Sequence, residues 1–283
     1  MTERRYIFTV CAGRSGQNSL THLLQNSVPD CLPLFEAPHA NTRRSGRLGN
    51  WERKFRRRFV ETDEMLGRGR VLEAYEQGSD DYIAGIAKKR LRRIHQEMEA
   101  KNATIYFDVS KYFARGLHVG FAKKLEKFSV VLLVRDPILN MRSFLNRNKN
   151  FFLDNSRPDA PRNILDMKTE TLQKGELYLW AWCEMYLRYL QLAAEKNVEA
   201  ATIIPTSRLE DPEFMTAAFD QISLAHGPVV TSAPRNTNTS LGLKATQAHD
   251  EDVELFNRFL KKLPEDIRCA ITYLDDYAPG QPA

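Results

Sequence analysis

The chain has 283 residues, and its 42% hydrophobic content is enough to fill the core of one α/β domain with insertions. The formal net charge of +5 excludes a polycation and favours an anionic ligand without requiring nucleic acid. There is no apolar run of 18 residues and no room for a signal segment before the first strand, so we expect a cytoplasmic protein without a membrane partner. The four cysteines are widely separated, which favours core thiols over a zinc site or disulfides.

The N-terminal residues predict a strand, a glycine loop and a helix. Residues 6–11 are apolar, β-branched or aromatic without alternation, which is typical of a strand buried on both faces of a parallel sheet. Residues 12–16 break this strand, and leucines at helical spacing follow Ser19. A loop of this kind directs backbone N–H groups and a helix N-terminus at one point, and Arg14 adds a cation. The stretch therefore predicts an anion site.

The same loop differs from that of nucleotide triphosphatases. Their loop requires a lysine and a hydroxyl residue directly after the last glycine, for the phosphates and for magnesium. Here Gln17 and Asn18 follow Gly16, and the cation precedes that glycine. The sequence therefore disfavours ATP–magnesium chemistry, and no metal-ligand cluster is predicted.

A second predicted strand brings an acidic residue toward the same edge of the sheet. Leu34 and Phe35 form a short apolar run that ends at Glu36, before a proline-controlled turn that contains His39. Ligands of open α/β sheets gather at the carboxyl ends of strands. Glu36 is therefore a candidate site residue, with an exposed loop glutamate as the equally weighted alternative.

Residues 41–58 are rich in arginine, with Trp51, Phe55 and Phe59 interleaved. Basic residues among aromatics suit nucleic-acid binding. The interpretation that we favour is a surface helix whose three aromatic residues form a buried stripe while the arginines stay solvated. A second helical pattern at 81–101 also carries basic residues, so we expect a basic helical insertion at about 41–101.

Two further strands are predicted, and each delivers a basic residue at its carboxyl end. The first covers 104–109 and is followed by Ser110 and Lys111. The second, at 130–134, is the most apolar and leads into Arg135. Helical spacing between them predicts a connecting helix, as parallel strands require.

The residues after Arg135 predict a well-defined helix start. Asp136 is a good N-cap residue, and Pro137 suits the first helical position. The helix is predicted to run from 138 to 148, with Ser143 and Arg147 on one face.

Together these motifs resemble the PAPS-dependent sulfotransferase family. The resemblance consists of the Gly-Arg-Ser-Gly loop after the first strand, Arg135 at a later strand end, and Ser143 eight residues beyond it (143 − 135 = 8). Lys111 precedes Arg135 by 24 residues (135 − 111 = 24), the separation of the active-site lysine in cytosolic members. The resemblance extends through an aromatic helix at 177–196, a strand at 201–204 and an acidic segment at 208–212, so it covers about residues 6 to 225.

The resemblance implies a sulfuryl donor, 3′-phosphoadenosine 5′-phosphosulfate (PAPS), and the product adenosine 3′,5′-bisphosphate. It implies that the first loop binds the 5′-phosphosulfate, that Arg135 and Ser143 hold the 3′-phosphate, and that a C-terminal segment closes over the nucleotide. The implied nucleotide-binding residues are Gly13, Arg14, Ser15, Gly16, Gln17, Asn18, Ser19, Arg135, Ser143, Arg235 and Lys244.

The catalytic base departs from the cytosolic pattern. Phe113 stands where those members have a histidine, two residues after the lysine. Carbohydrate-type members use a glutamate downstream of the first helix, and the segment around Glu36 is similar to theirs. We therefore expect Lys111 to stabilise the leaving oxygen and Glu36 to act as the base, with His39 and Asp108 in reserve.

These observations predict a single α/β domain over 1–283, in which helices flank a central, mostly parallel sheet in a P-loop-like, three-layer sulfotransferase architecture. The predicted reaction moves a sulfuryl group from PAPS to a hydroxyl or amine of a small-molecule acceptor, such as a secondary metabolite. Two alternatives stay open, a P-loop kinase that uses ATP and a non-enzymatic binder of anionic partners through 43–58. The sequence does not identify the acceptor or the oligomeric state.

Overall fold

Five parallel strands form the centre of the fold. The computed structural model describes residues 4–36, 46–59, 62–147, 150–153, 155–231 and 247–274. The strands are β1 (Arg5–Val10), β2 (Cys31–Phe35), β3 (Ile105–Val109), β4 (Phe128–Val134) and β5 (Val198–Pro205). Their order in the sheet is β2-β3-β1-β4-β5, and every pairing is parallel. The prediction of a mostly parallel central sheet is therefore confirmed.

Helices connect the strands and cover both faces of the sheet. Those up to β4 are α1 (Gln17–Ser27), α2 (Gly46–Phe59), α3 (Thr62–Leu66), α4 (Arg70–Glu76), α5 (Asp80–Ala100) and α6 (Leu117–Ala122). The later ones are α7 (Pro137–Leu145), α8 (Lys174–Ala193), α9 (Pro212–Gln221), α10 (Asp250–Leu260) and α11 (Glu265–Ala270). None of the described helices combines the length and the apolar composition that crossing a membrane requires.

The alternation of side chains along β1 explains the three layers. Ile7 faces one side of the sheet and belongs to an apolar cluster with Leu20 of α1 and Phe219 of α9. Phe8 faces the other side, where its cluster includes Phe113 and Trp180 of α8. Because successive side chains of a strand point to opposite faces, a strand with apolar side chains on both faces needs helices on both sides.

A buried ion pair joins the sheet to α5. Arg90 is 1% exposed and donates to the Asp108 carboxylate of β3 at 2.7 Å, to the Met65 carbonyl at 2.9 Å and to the Tyr106 hydroxyl at 3.3 Å. Burial raises the pKa of Asp108 to about 6, against the opposing attraction of Arg90. The contact between the guanidinium and the carboxylate fixes α5 against β3.

Four helices, α2 to α5, lie between β2 and β3, where the basic insertion was predicted. The prediction for its first helix is wrong in one respect. Trp51, Phe55 and Phe59 form a stripe on α2, but they are 67%, 47% and 64% exposed. The helical spacing of the three aromatic residues predicted their stripe correctly. Burial of the stripe would also require a neighbouring surface, and α2 packs mainly against the short α3.

Candidate functional site

The loop between β1 and α1 has a conformation that suits an anion. Gly13, Arg14 and Gly16 have φ values of 92°, 60° and 82°, so the backbone is left-handed at three positions within four residues. Such turns direct successive N–H groups into one concavity. Gly16 also caps α1 without a side-chain hydrogen bond, and the first turn of α1 contains no acidic residue. Its terminal N–H groups and its dipole therefore favour a negative charge beside the loop.

Side chains from other parts of the chain hold the carbonyls of this loop. Asn140 of α7 and Tyr178 of α8 donate to the Gly13 carbonyl at 3.2 and 2.7 Å, and Tyr178 also donates to the Asn140 amide oxygen at 2.6 Å. Arg115 donates to the Ala12 carbonyl at 3.1 Å, and Thr206, directly after β5, donates to the Ser15 carbonyl at 2.9 Å. Because these carbonyls already have partners, the loop is fixed before any ligand binds.

The structure brings Arg14, Arg135 and Ser143 together. Arg14 donates through Nε to the Ser143 hydroxyl at 3.3 Å, and Arg135 donates to the Arg14 carbonyl at 3.2 Å. Burial lowers the pKa of Arg14, and the nearby cations Arg147 and Arg135 lower it further, against the opposing effects of Tyr178 and Glu36. Burial also lowers the pKa of Arg135. Like charges held this close favour a bound anion between them.

Lys111 lies across the first loop. β3 is the direct neighbour of β1, so the residue that follows β3 reaches the loop that follows β1. A Cβ atom on Gly13 would stand 2.8 Å from Lys111 Cδ, which means that the lysine stem occupies the space above that glycine. The Nζ atom lies 4.7 Å from the centre of the Tyr112 ring. A glycine at position 13 is therefore needed for the approach of Lys111 as well as for the left-handed turn.

The polar residues of the loop have different roles. Ser15 is 1% exposed, and its hydroxyl donates to the Gly13 carbonyl and accepts from Asn140, so this side chain stabilises the loop itself. Gln17 is 7% exposed, and among the described residues its Nε2 atom has no hydrogen-bond partner. A buried amide donor without a partner is costly, and a ligand oxygen at this point would satisfy it. Asn18 and Ser19 are half-buried in the first turn of α1.

Glu36 follows β2, as the sequence predicted, but β2 is not a neighbour of β1 in the sheet. The sheet order places β3, the strand that leads to Lys111, between β2 and β1. The Glu36 amide donates to the Val109 carbonyl at 3.2 Å and has a φ of 46°. The charge of Glu36 still acts on the pKa of Arg14 and of Cys11. It therefore lies at the edge of the site, on the Lys111 side.

Asp108, a reserve candidate for the base, and Phe113, which stands where a histidine base would be expected, both have structural roles. Asp108 is fully buried in its ion pair with Arg90, so a substrate does not reach its carboxylate without opening the core. Phe113 is fully buried and stacks on Phe8 with ring centres 4.2 Å apart, so this position faces the core. His39, Arg235 and Lys244 lie outside the described residues.

The residues that hold the loop carbonyls were missed by the sequence reasoning. Asn140 is a fully buried amide on the apolar side of α7, between Ile138 and Met141. A polar residue in such an apolar stripe indicates a buried hydrogen bond, which the sequence could have suggested. Tyr178 was noted only as part of an aromatic helix. No sequence pattern indicates the role of Thr206, because its contact with the loop depends on the pairing of β5 with β4.

A scan against protein-family models and a search of curated proteins find no match to this chain. A function for this chain is therefore inferred from its residues and their geometry.

Proposed function

We propose that the chain is a sulfotransferase that moves the sulfuryl group of PAPS to a hydroxyl or amine of a small-molecule acceptor. The observation that carries the proposal is the convergence of Lys111, Arg14, Arg135 and Ser143 on one preformed loop. Their order along the chain and their spacing are similar to those of the sulfotransferase family. The family assignment, the donor and the acceptor class are all parts of this proposal.

The donor is a polyanion, and the site offers positive charges and hydrogen-bond donors around the loop. The left-handed loop and the N-terminus of α1 suit the 5′-phosphosulfate, and Gln17 offers its amide where the family has a hydroxyl residue. Arg135, with Ser143 beside it, suits the 3′-phosphate, because a forked guanidinium binds a phosphate dianion through two oxygens. The preformed loop lowers the cost of ordering on binding.

In the proposed reaction the acceptor atom forms a bond to sulfur while the bond from sulfur to the bridging oxygen breaks. The electron pair of that bond stays on the 5′-phosphate of adenosine 3′,5′-bisphosphate. Lys111 stabilises the negative charge that develops on the bridging oxygen, an interaction that is stronger in the transition state than in the bound donor. Glu36 takes the proton of the acceptor.

A kinase reaction with ATP is the competing proposal. It requires a lysine and a hydroxyl residue directly after Gly16, and α1 begins there with Gln17 and Asn18. The cations near the loop come instead from β3 and β4, through Lys111 and Arg135. This arrangement favours a donor with a phosphate on the ribose over a triphosphate with bound magnesium.

Ligand-induced thermal stabilisation tests the proposal. We expect adenosine 3′,5′-bisphosphate to raise the Tm, since a ligand at about 100 times its Kd stabilises the folded state by about 2.7 kcal/mol. ATP with magnesium and duplex DNA are the comparison ligands. A larger shift with ATP–magnesium would instead support the kinase. Mass spectrometry of a metabolite panel incubated with PAPS then identifies the acceptor.

Replacement of Glu36 tests the assignment of the base. Glu36→Gln keeps the size and hydrogen bonding of the side chain but removes its basicity, so we expect kcat to fall by about 10²–10⁴. The affinity for adenosine 3′,5′-bisphosphate should not change. His39→Ala is the matched comparison and should act chiefly on the KM of the acceptor. Full activity of Glu36→Gln together with an inactive His39→Ala would assign the base to His39.

A further inference from the structure

The outer face of α2 is the most apolar exposed surface of the described chain. Leu48, Trp51, Phe55 and Phe59 are 60%, 67%, 47% and 64% exposed. Among the other large apolar side chains that the structure describes, only Phe152 at 48% and Val230 at 50% are comparably exposed. At about 100° per residue the four α2 positions fall within a sector of about 80°. The aromatic rings also contact each other, with centres 5.7 Å apart for Trp51–Phe55 and 4.7 Å for Phe55–Phe59. They form one continuous ridge.

The same helix carries the excess charge of the protein. Residues 46–59 contain six basic residues and one acidic residue, a net +5, and the formal net charge of the whole chain is also +5. Arg47 and Lys54 are exposed at positions outside the apolar sector. The rest of the chain has equal numbers of basic and acidic residues, so the attraction of α2 for an anionic surface is not offset by an acidic excess elsewhere.

Charge and ring geometry discriminate between the possible occupants of this ridge. A second copy of the chain would bring two helices of net +5 together, which repel each other. Single-stranded nucleic acid stacks its bases on open ring faces, whereas Phe55 has a neighbouring ring on each side. A continuous apolar ridge of Trp, Phe and Leu on a basic helix is typical of helices that lie in the interface of a bilayer.

We propose that α2 binds to the surface of an anionic lipid bilayer, with Trp51, Phe55 and Phe59 inserted at the level of the headgroups. With 14 residues the helix is about 21 Å long, too short and too polar to span, so it lies parallel to the surface. The expectation of no membrane partner was based on the lack of a spanning segment, and a surface helix needs none. The inference does not depend on sulfuryl transfer.

Tryptophan fluorescence measures the insertion directly. The chain has three tryptophans, of which Trp180 and Trp182 are 1% and 3% exposed and Trp51 is 67% exposed. A blue shift on adding vesicles, with protection from acrylamide quenching, therefore reports on Trp51. We expect this shift with phosphatidylcholine vesicles that contain phosphatidylserine and a much smaller one with pure phosphatidylcholine. No shift with the anionic vesicles would overturn the proposal.

Vesicle co-sedimentation with matched variants separates the two contributions. Replacing Trp51, Phe55 and Phe59 together by serine should weaken binding by about tenfold or more, while Phe152→Ser, at a 48% exposed position elsewhere, should not. The double change Arg47→Glu and Lys54→Glu should also weaken it. Lys88→Glu with Lys89→Glu makes the same change in charge at exposed positions of α5 and is the control. Equal losses for both charge variants would contradict a site on α2.

Salt and competing ligands complete the test. Raising the salt concentration from about 0.1 M to about 1 M shortens the Debye length from about 10 Å to about 3 Å. The electrostatic attraction between α2 and the anionic vesicles should therefore weaken. Oligonucleotide binding that requires the three aromatic residues, without vesicle binding, would assign the ridge to nucleic acid. Concentration-dependent dimers that the serine variant abolishes, again without vesicle binding, would assign it to a second copy.

Discussion

Arg90 of α5 is buried and Arg135, directly after β4, is half-buried, and the surroundings of these two guanidinium groups differ. Burial alone would lower the pKa of Arg90, yet the attraction of Asp108 and Tyr106 raises it overall. Burial lowers the pKa of Arg135, and the weaker attraction of Tyr178 and Asp136 does not reverse the effect. The protein supplies the counter-charge of Arg90 itself. At Arg135 a bound anion would improve the balance, which is why we assign this region to the ligand.

The comparison predicts that substitutions in the two regions impair different properties of the protein. Changes around Arg90 should act on folding in the absence of any ligand. Changes around Arg135 and Lys111 should act on binding or turnover while the protein remains folded.

The largest effect is expected for Arg90→Met. Removing one partner of a buried ion pair leaves the other charge uncompensated, so the free energy of unfolding should fall by about 3–5 kcal/mol. Arg93→Met on the same helix is the control, because its pair with Glu97 is 35% and 36% exposed and should contribute only about 0–1 kcal/mol. Urea denaturation measures both. Similar losses for the two variants would remove the distinction between a structural arginine and a surface arginine.

A large effect of a different kind is expected for Lys111→Ala. Loss of the cation at the leaving oxygen should lower kcat by about 10²–10³, with a much smaller change in the affinity for the donor. Lys124→Ala, at an exposed position after α6, is the control. Steady-state kinetics with PAPS provide the measurement, and normal turnover of the Lys111 variant would make Lys111 an ordinary surface lysine.

Arg135→Ala should weaken adenosine 3′,5′-bisphosphate by about 2–4 kcal/mol, the scale for truncating one partner of a buried charge pair. Affinity for adenosine 5′-monophosphate, which lacks the 3′-phosphate, should hardly change. Isothermal titration calorimetry with both nucleotides gives the comparison. Equal losses would mean that Arg135 contacts a part that the two nucleotides share.

Per pH unit, the smallest effect is a pH dependence of the unfolding free energy that arises from Asp108. Because burial raises its pKa from 3.8 to about 6, the folded state binds more protons than the unfolded state between these values. This preferential protonation of the folded state contributes to the free energy of unfolding. The contribution is fully present below about pH 4 and is lost as the pH rises to about 6, by at most about 1.4 kcal/mol per pH unit. Asp108→Asn should lack this part of the slope. Parallel curves of unfolding free energy against pH for wild type and variant would contradict the shift.

The sequence predicted local features well. Asp136 was predicted to cap α7, and its carboxylate accepts from the Leu139 amide at 2.7 Å, with Pro137 in the first helical position. Capping depends on residues within one turn, so the sequence contains all that is needed. The strand and glycine loop that precede α1 were predicted for the same reason.

Features that depend on the order of the strands were not predictable in this way. The sequence predicted Glu36 at the edge of the sheet where the strands end, but it did not reveal that β3 separates β2 from β1, because strand order is set by the packing of the whole domain. Periodicity placed Trp51 on a stripe but did not reveal whether another surface covers it. Asn140 and Tyr178 reach the Gly13 carbonyl from helices that begin more than a hundred residues later, so their role appears only in three dimensions.

The central position of β1 also determines when this protein can fold during its synthesis. Ile7 pairs with Phe107 of β3 and with Ser129 of β4, which are 100 and 122 residues later in the chain (107 − 7 and 129 − 7). At about 5–20 residues per second, the ribosome needs about 6–24 s to make both neighbours. Throughout that interval the apolar first strand lacks both of its partners, and pairing over such long separations is slow. We therefore expect the nascent chain to depend on chaperones that bind its first strand, more than on those that act after release.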